Sequence, residues 1–490
     1  MSVQKIKKQL EINSALDTAI NDNVDIDADD SDHQPLYGGH YNSNAGEITS
    51  AFVSSLNTDK RLYGVAIDSI KAQFKVNARR KILPAAAAEK ITKNLDALKK
   101  KIASGEVTVT GNHSNVYSFI DSQLLAADSK LAEHLQVARS SHDQAAGDLR
   151  HWTANSCEVI DAALQNLQAA LIDKAEENVK TVFPGYTHMQ LTQPISLAHH
   201  LMAYVDMIGR DRERFKQAKK RINQSPYGAS EFAGTQFNVN RDMISKILGF
   251  DRVLDNSIDA VSSYDFAIEF LSCAANCATN LSRMAEEYLL WSSTQYQFIG
   301  FSDACIRQDK IMPFKRDVEV LEVVRGRTGK IYGALMNMLT IIKSLPLGFN
   351  QDLQEVSAPL FEAQETLEKS TKVLALMTSD FGINRKKVKE AASIQYSTAY
   401  DLRDWIASNL EVSTGEADKI TTNILHQAIS KGKKLSLLDL SELKAVDSRI
   451  DDNIYSTLIP SRAIISRRSE GGTNPVKVRK AIRGARRHYL

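Results

Sequence analysis

Residues 258–292 read IDAVSSYDFAIEFLSCAANCATNLSRMAEEYLLWS. The run holds neither proline nor glycine, and its apolar residues occupy most of the helical circumference instead of one stripe. A helix like that is buried on several sides, as in the middle of a bundle. Outward from it, proline marks the limits. The chain has ten prolines, yet none falls between Pro84 and Pro184, between Pro226 and Pro313, or between Pro359 and Pro460. Such gaps suit long helices better than sheet. Two further segments carry a helical stripe: Ile160, Leu164, Leu167, Leu171, Ala175 and Val179, and then Val320, Val324, Thr328, Ile331, Leu335, Met338 and Ile342, before Pro346 stops the run. Strand-like alternation is scarce apart from VTVT at 107–110. The pattern predicts an all-α fold built on a long central helical bundle.

A length of 490 residues allows two to four domains or one large elongated unit. Residues 1–34 turn from basic to acidic (DIDADDSD at 25–32), which reads as a disordered, solvated tail. An N-terminal helical domain is expected over 35–145, the long-helix block over 146–390, and a smaller helical domain over 391–490. The net charge of +2 gives no reason to expect a nucleic-acid partner. The basic end, VKVRKAIRGARRHYL, lacks aromatic interleaving and reads as a solvated helix end. No apolar run has signal-peptide or membrane-spanning character. The four cysteines form no C-x-x-C pair, and Cys273 and Cys277, four apart, read as core-facing. The expectation is a cytoplasmic protein with no membrane partner, no metal and no cofactor. The adjacent His199 and His200 read as part of a structural helix without an accompanying carboxylate cluster.

Three separated stretches carry the chemistry: PGYTHMQLTQPISLAHHLMAY (184–204), MPFKRDVEVLEVVRGRTGKIYGAL (312–335) and SLPLGFNQDLQE (344–355). With GGHYNSNAGEITSAFVSSLNTDKRL (38–62) and SRRSEGGTNPVKVR (466–479), they closely resemble argininosuccinate lyase, of the fumarase/aspartase superfamily. The resemblance covers nearly all of the chain after residue 34. It implies three helical domains per subunit and a homotetramer whose central helices form one bundle, with each active site combining segments of three subunits. It also implies a carbon–nitrogen lyase. A base removes a proton beside a carboxylate, a doubly charged aci-carboxylate forms, and fumarate leaves a substituted succinate or aspartate. Preorganised donors and cations must carry most of that catalysis.

By the same resemblance, Thr187 binds substrate and His188 is catalytic. Glu322 orients the histidine and raises its basicity. Lys315 stabilises the growing carboxylate charge. Ser55, Gln193, Asn350 and Gln354 contact substrate. The departures fall on the same pocket. The family's mobile loop reads G-S-S-x-M-P-Q-K-x-N, with its first serine as base. Here Gln308, Asp309, Lys310 and Asp317 stand for the glycine, the base serine, its neighbour and a substrate-binding asparagine. With no glycine from Ser302 to Asp317, the loop reads as a stiffer lid. Ser141 and His142 replace an arginine and a substrate-binding asparagine, Phe349 a tyrosine, and Ser357 a lysine. Two loop aspartates would repel a substrate carboxylate by about 4 kcal/mol per pair 4 Å apart at an effective dielectric near 20. Lys310 and Arg316 could offset that, or pair with Asp309 and Asp317.

Two readings follow. In one, an altered lyase uses Asp309 or a neutral Lys310, tuned by burial, as base, with His142 and Asp317 in the substrate pocket and an amine other than arginine as leaving group. In the other, the chain is a catalytically silent homologue kept for assembly or regulation.

Overall fold

Helix α6 (Asp265–Ser292) is the axis of the molecule. The computed structural model describes residues 46–394 and 396–490. The tail expected over 1–34, and GGHYNSNA at the start of the first motif, lie outside the described residues. An N-terminal layer holds α1 (Tyr63–Arg79), α2 (Ala85–Ala103) and α3 (Val116–Ala127). Next come α4 (Ser141–Glu177), the hairpin β1 (Val182–Thr187) and β2 (Gln190–Ser196), and α5 (Leu197–Ile222). After α6, a short hairpin of β3 (Arg307–Gln308) and β4 (Arg316–Asp317) leads into α7 (Glu319–Ile342), followed by α8 (Ser357–Asp380). The chain closes with α9 (Ala399–Asn409), α10 (Thr414–Ser430), short turns, and α11 (Pro475–Tyr489).

Ser140 starts α4 by accepting the His142 N–H on its side chain, satisfying one of the donors that a helix start leaves free. The α4 stripe is fully buried at Ile160, Leu164, Leu167 and Leu171. At about 1.5–3 kcal/mol for each such side chain removed from water, that stripe is what holds α4 against α5 and α8. Only Asp265, Asn276, Thr279 and Arg283 of α6 are exposed. Its other sides are covered by α4, α5, α7 and α8 of the same chain. Cys273 and Cys277 are buried there, and burial pushes both thiols up. The helix that reads as needing neighbours therefore finds them at home. Among the long helices, α7 leaves a run of apolar side chains uncovered. Its inner face buries Val324, Ile331 and Met338, while Val323, Tyr332, Met336 and Leu339 face outward beside Gly326, Gly329 and Gly333, whose missing Cβ atoms would meet nothing.

Three main cores result. One gathers Leu56 to Leu135 around α1–α3, one the long helices, and one Leu402 to Leu458. The basic C-terminal helix is not a solvated end. Val478, Ile482 and Ala485 of α11 join the long-helix core, and Arg486 pairs with Asp173 and Glu176. Gly209 makes room for this docking, since a Cβ there would come within 2.3 Å of Tyr489 Oη. VTVT at 107–110 forms no strand; the pairing occurs instead at β1–β2, inside the most telling motif. No helix among the described residues is long and apolar enough to cross a membrane.

Gly147 on α4 is a second close approach: a Cβ would fall 2.5 Å from the ring of fully buried Tyr227. Gly147→Ala should therefore overpack the core and lower stability by about 1–3 kcal/mol in urea unfolding. A neutral result would mean the ring can move aside freely.

Candidate active site

The sequence-predicted residues fall into three patches. The first lies between the N-terminal layer, the start of α4 and the segment after α7, and surrounds a cavity of about 200 Å³. Ser55, His142 and Gln354 line it, with Phe349 and Ser357. The His142 ring stacks flat on Phe349, centroids 4.5 Å apart and planes 8° from parallel, and its Nδ1 lies 3.7 Å from the Glu231 carboxylate. The Gln354 amide donates to the Val53 carbonyl at 3.0 Å and accepts from Gln351 at 2.5 Å. Asn350 is not brought into the cavity; its amide donates to the carbonyls of Pro346 and Gly348 and holds its own turn.

The same wall contains a residue that sequence reasoning missed. Asp59 is 7 % exposed, accepts the Ser55 hydroxyl at 2.6 Å and the Val116 N–H at 3.0 Å, and has its carboxyl pushed up by burial. It lies one helical turn after Ser55, so the spacing alone could have flagged it. Behind the cavity sit two more buried acids. Asp143 takes the N–H groups of Gly228 and Ser230, and Asp148 takes the Tyr227 hydroxyl. Burial pushes them up to about 7 and about 6 respectively.

The second patch is the β1–β2 hairpin. His188 and Met189 form its tip with φ of 53° and 60°, the left-handed pair that a two-residue hairpin turn requires. Holding two non-glycine residues there is costly, a feature common at functional sites. The register shifts at Gly185/Tyr186, and a Cβ on Gly185 would meet the Gln193 carbonyl at 2.6 Å. His188 is thus presented on an exposed tip. Thr187, hydroxyl 2.6 Å from that of Thr192, and Gln193 line a cavity of about 350 Å³ below it. That cavity's floor joins His200 Nε2 to Glu287 at 2.6 Å and Tyr204 to the same carboxylate at 2.7 Å. A single carboxylate, Glu287, meets His200 there, and no carboxylate cluster surrounds the histidine pair among the described residues. No group of three or more such ligands suited to a metal occurs among the described residues.

The third patch is the β3–β4 loop. Lys315, Asp317 and Glu322 line a broad cavity of about 990 Å³. The ion pairs differ from those expected. Lys315 binds Asp317 at 2.9 Å, which raises the lysine's pKa, and Arg316 binds Asp303 at 3.0 Å. Lys310 is exposed and makes no ion pair among the described residues. Asp309 turns its carboxylate onto the N–H groups of Met312 and Ile311, at 3.0 and 2.8 Å, and these hold it below the usual carboxylate range. The altered-lyase reading needs a buried base, yet Asp309 is held by backbone N–H groups and Lys310 is exposed within the chain. Ser302, ahead of the loop, donates its hydroxyl to Asp380 at 2.6 Å.

The first patch cannot meet the other two within one chain. α6 runs 28 residues, about 42 Å at 1.5 Å per residue. Tyr264 at its start lines the first cavity, and Trp291 and Leu289 at its end line the second and third. α7, 24 residues long, likewise separates Lys315, Asp317 and Glu322 from Phe349 and Gln354 by about 36 Å. The three cavities share no lining residue, and no hydrogen bond joins His188 to Glu322 among the described residues.

The lyase family model matches residues 39–333, and the argininosuccinate lyase C-terminal model matches 396–465. The chain is 37% identical to the argininosuccinate lyase of Maricaulis maris (strain MCS10) over 461 residues, 94% of this chain and 98% of that protein. The chain belongs to the argininosuccinate lyase family. Among solved structures it is similar in fold to EDDS lyase in complex with formate, with a TM-score of 0.78 at 24% identity over 88% of this chain and 87% of that one. It is also similar to the class II fumarase of Schistosoma mansoni, with a TM-score of 0.72 at 17% identity over 84% and 92%. The family places the chain among carbon–nitrogen lyases that release fumarate.

The buried acids give a pH test. Between the unfolded carboxyl value of 3.8 and the raised folded values, the folded chain holds protons that the unfolded chain has lost. Stability from these groups is present at acid pH and falls as pH rises through about 6 to 7. Asp148→Asn keeps an acceptor for Tyr227, so its urea midpoint should fall less between about pH 5 and pH 8 than the parent's. Equal slopes would contradict the assignment.

Proposed function

We propose that the protein is a homotetrameric argininosuccinate lyase-like enzyme that eliminates fumarate from an N-substituted aspartate, or runs the addition in reverse. The observation that carries this is the separation of Ser55, His142 and Gln354 from the hairpin and loop patches by about the lengths of α6 and α7. Antiparallel stacking of such helices from neighbouring chains brings opposite ends together, and the uncovered face of α7, with its apolar side chains and small residues, is the surface for it. In the assembled site, Ser55, His142 and Gln354 of one chain hold the leaving amine. Thr187, Gln193 and His188 come from a second hairpin, and Lys315, Asp317 and Glu322 from a third chain. Lys315 is freed from Asp317 for the substrate carboxylate, and Glu322 orients His188.

The proton acceptor is assigned to Asp309, the loop group already held as a carboxylate. Closure that excludes water strengthens it as a base. The second reading, a silent homologue, draws support from the self-contained loop, in which Asp309 and Lys315 are each satisfied at home.

Incubating the protein with fumarate and a panel of amines should give adducts detectable by mass spectrometry. His188→Asn and Asp309→Asn should each lower the rate by about 10²-fold or more, and Lys310→Met far less. Melting-temperature shifts with fumarate but no adduct from any amine would select the silent reading.

A further inference from the structure

The first cavity carries an unusual balance of charge for a site that would accept an amino acid. Among the described residues, its lining includes one carboxylate, Asp59, and no lysine or arginine. Asp59 is buried with two neutral donors, the Ser55 hydroxyl and the Val116 N–H, and with no ion pair among the described residues. A buried carboxylate without a counter-ion is costly, and a cationic ligand relieves that cost. A ligand carboxylate would meet the opposite situation, facing Asp59 with no cation on the wall. The rest of the wall is uncharged, mixing neutral polar side chains such as Asn115 and Gln354 with apolar ones, and it carries the stacked rings of His142 and Phe349 and the Ser357 hydroxyl.

We propose that the leaving group is an amine that carries a second, cationic nitrogen and no carboxylate, with the cation seated on Asp59 and the chain lying along the His142–Phe349 stack. This rests on the lyase reading above and names its substrate class. In the elimination, the base takes the proton beside the carboxylate and that C–H electron pair becomes the new C=C bond of fumarate. The C–N bond breaks with its pair on nitrogen, and the departing amine takes up a proton. Addition reverses each step.

Agmatine and arginine differ only by the carboxylate, so they are the probes. With fumarate and the full chain, the agmatine adduct should form at least tenfold faster than the arginine adduct. Ser357→Lys, which puts a cation on the rim at an exposed helix start, should narrow or reverse that ratio. Asp59→Asn should weaken agmatine binding at least tenfold by titration calorimetry. An arginine adduct formed as fast as the agmatine adduct, or a ratio unmoved by Ser357→Lys, would overturn the proposal and leave the lyase reading standing. If neither amine gives an adduct but another amine of the panel does, the proposal is overturned and the lyase reading stands; if no amine does, the lyase reading fails. Calorimetry then decides this one: agmatine binding lost in Asp59→Asn upholds the cation site, and no agmatine binding overturns it.

Discussion

Two long helices, the buried α6 and α7 packed along it by one face, set the terms for everything else in this molecule. α6 and α7 are packed along their lengths, and a packed interior does not bend to bring its ends together. Whatever the segments before and after them do chemically, they do about 40 Å apart in one chain. The same rigidity that prevents a site within the chain favours one between chains, because antiparallel rods place the start of one beside the end of the next. The uncovered apolar face of α7 then has a reason to be there.

Charge follows the same logic. At the loop end, the charged groups have found partners: Lys315 with Asp317, Arg316 with Asp303, and Asp309 with backbone N–H groups. At the opposite end, Asp59 is buried without a cation. In the proposed reaction the loop pairs open and a ligand cation arrives, which would couple the free energies of assembly, closure and substrate binding.

The long helices were legible because periodicity and proline spacing record burial directly. The stripe from Ile160 to Val179 is buried as it reads. The hairpin at Val182–Ser196 was not legible, because its two strands alternate weakly and its turn uses histidine and methionine where glycine or asparagine would have announced it. Side-chain pairing in the loop was likewise hidden, since Lys315 reaches its partner two residues on and the sequence offered Lys310 and Arg316 as well. The docking of α11 depends on the absent side chain of Gly209, far away in sequence. The candidate residues were named by motif, but their division into patches separated by helix lengths appears only when the helices are measured.

The most direct measurement of the account uses two variants, each disabled at one end of the long helices. His188→Asn and Gln354→Ala should each be inactive in forming the fumarate–amine adduct. When the two chains are unfolded together and refolded as a mixture, sites that draw their two ends from different subunits regain both intact residues about one time in four. The mixture should therefore recover about a quarter of the parent's activity. A mixture as inactive as either variant alone would show that each site is built within one chain, and would contradict the account.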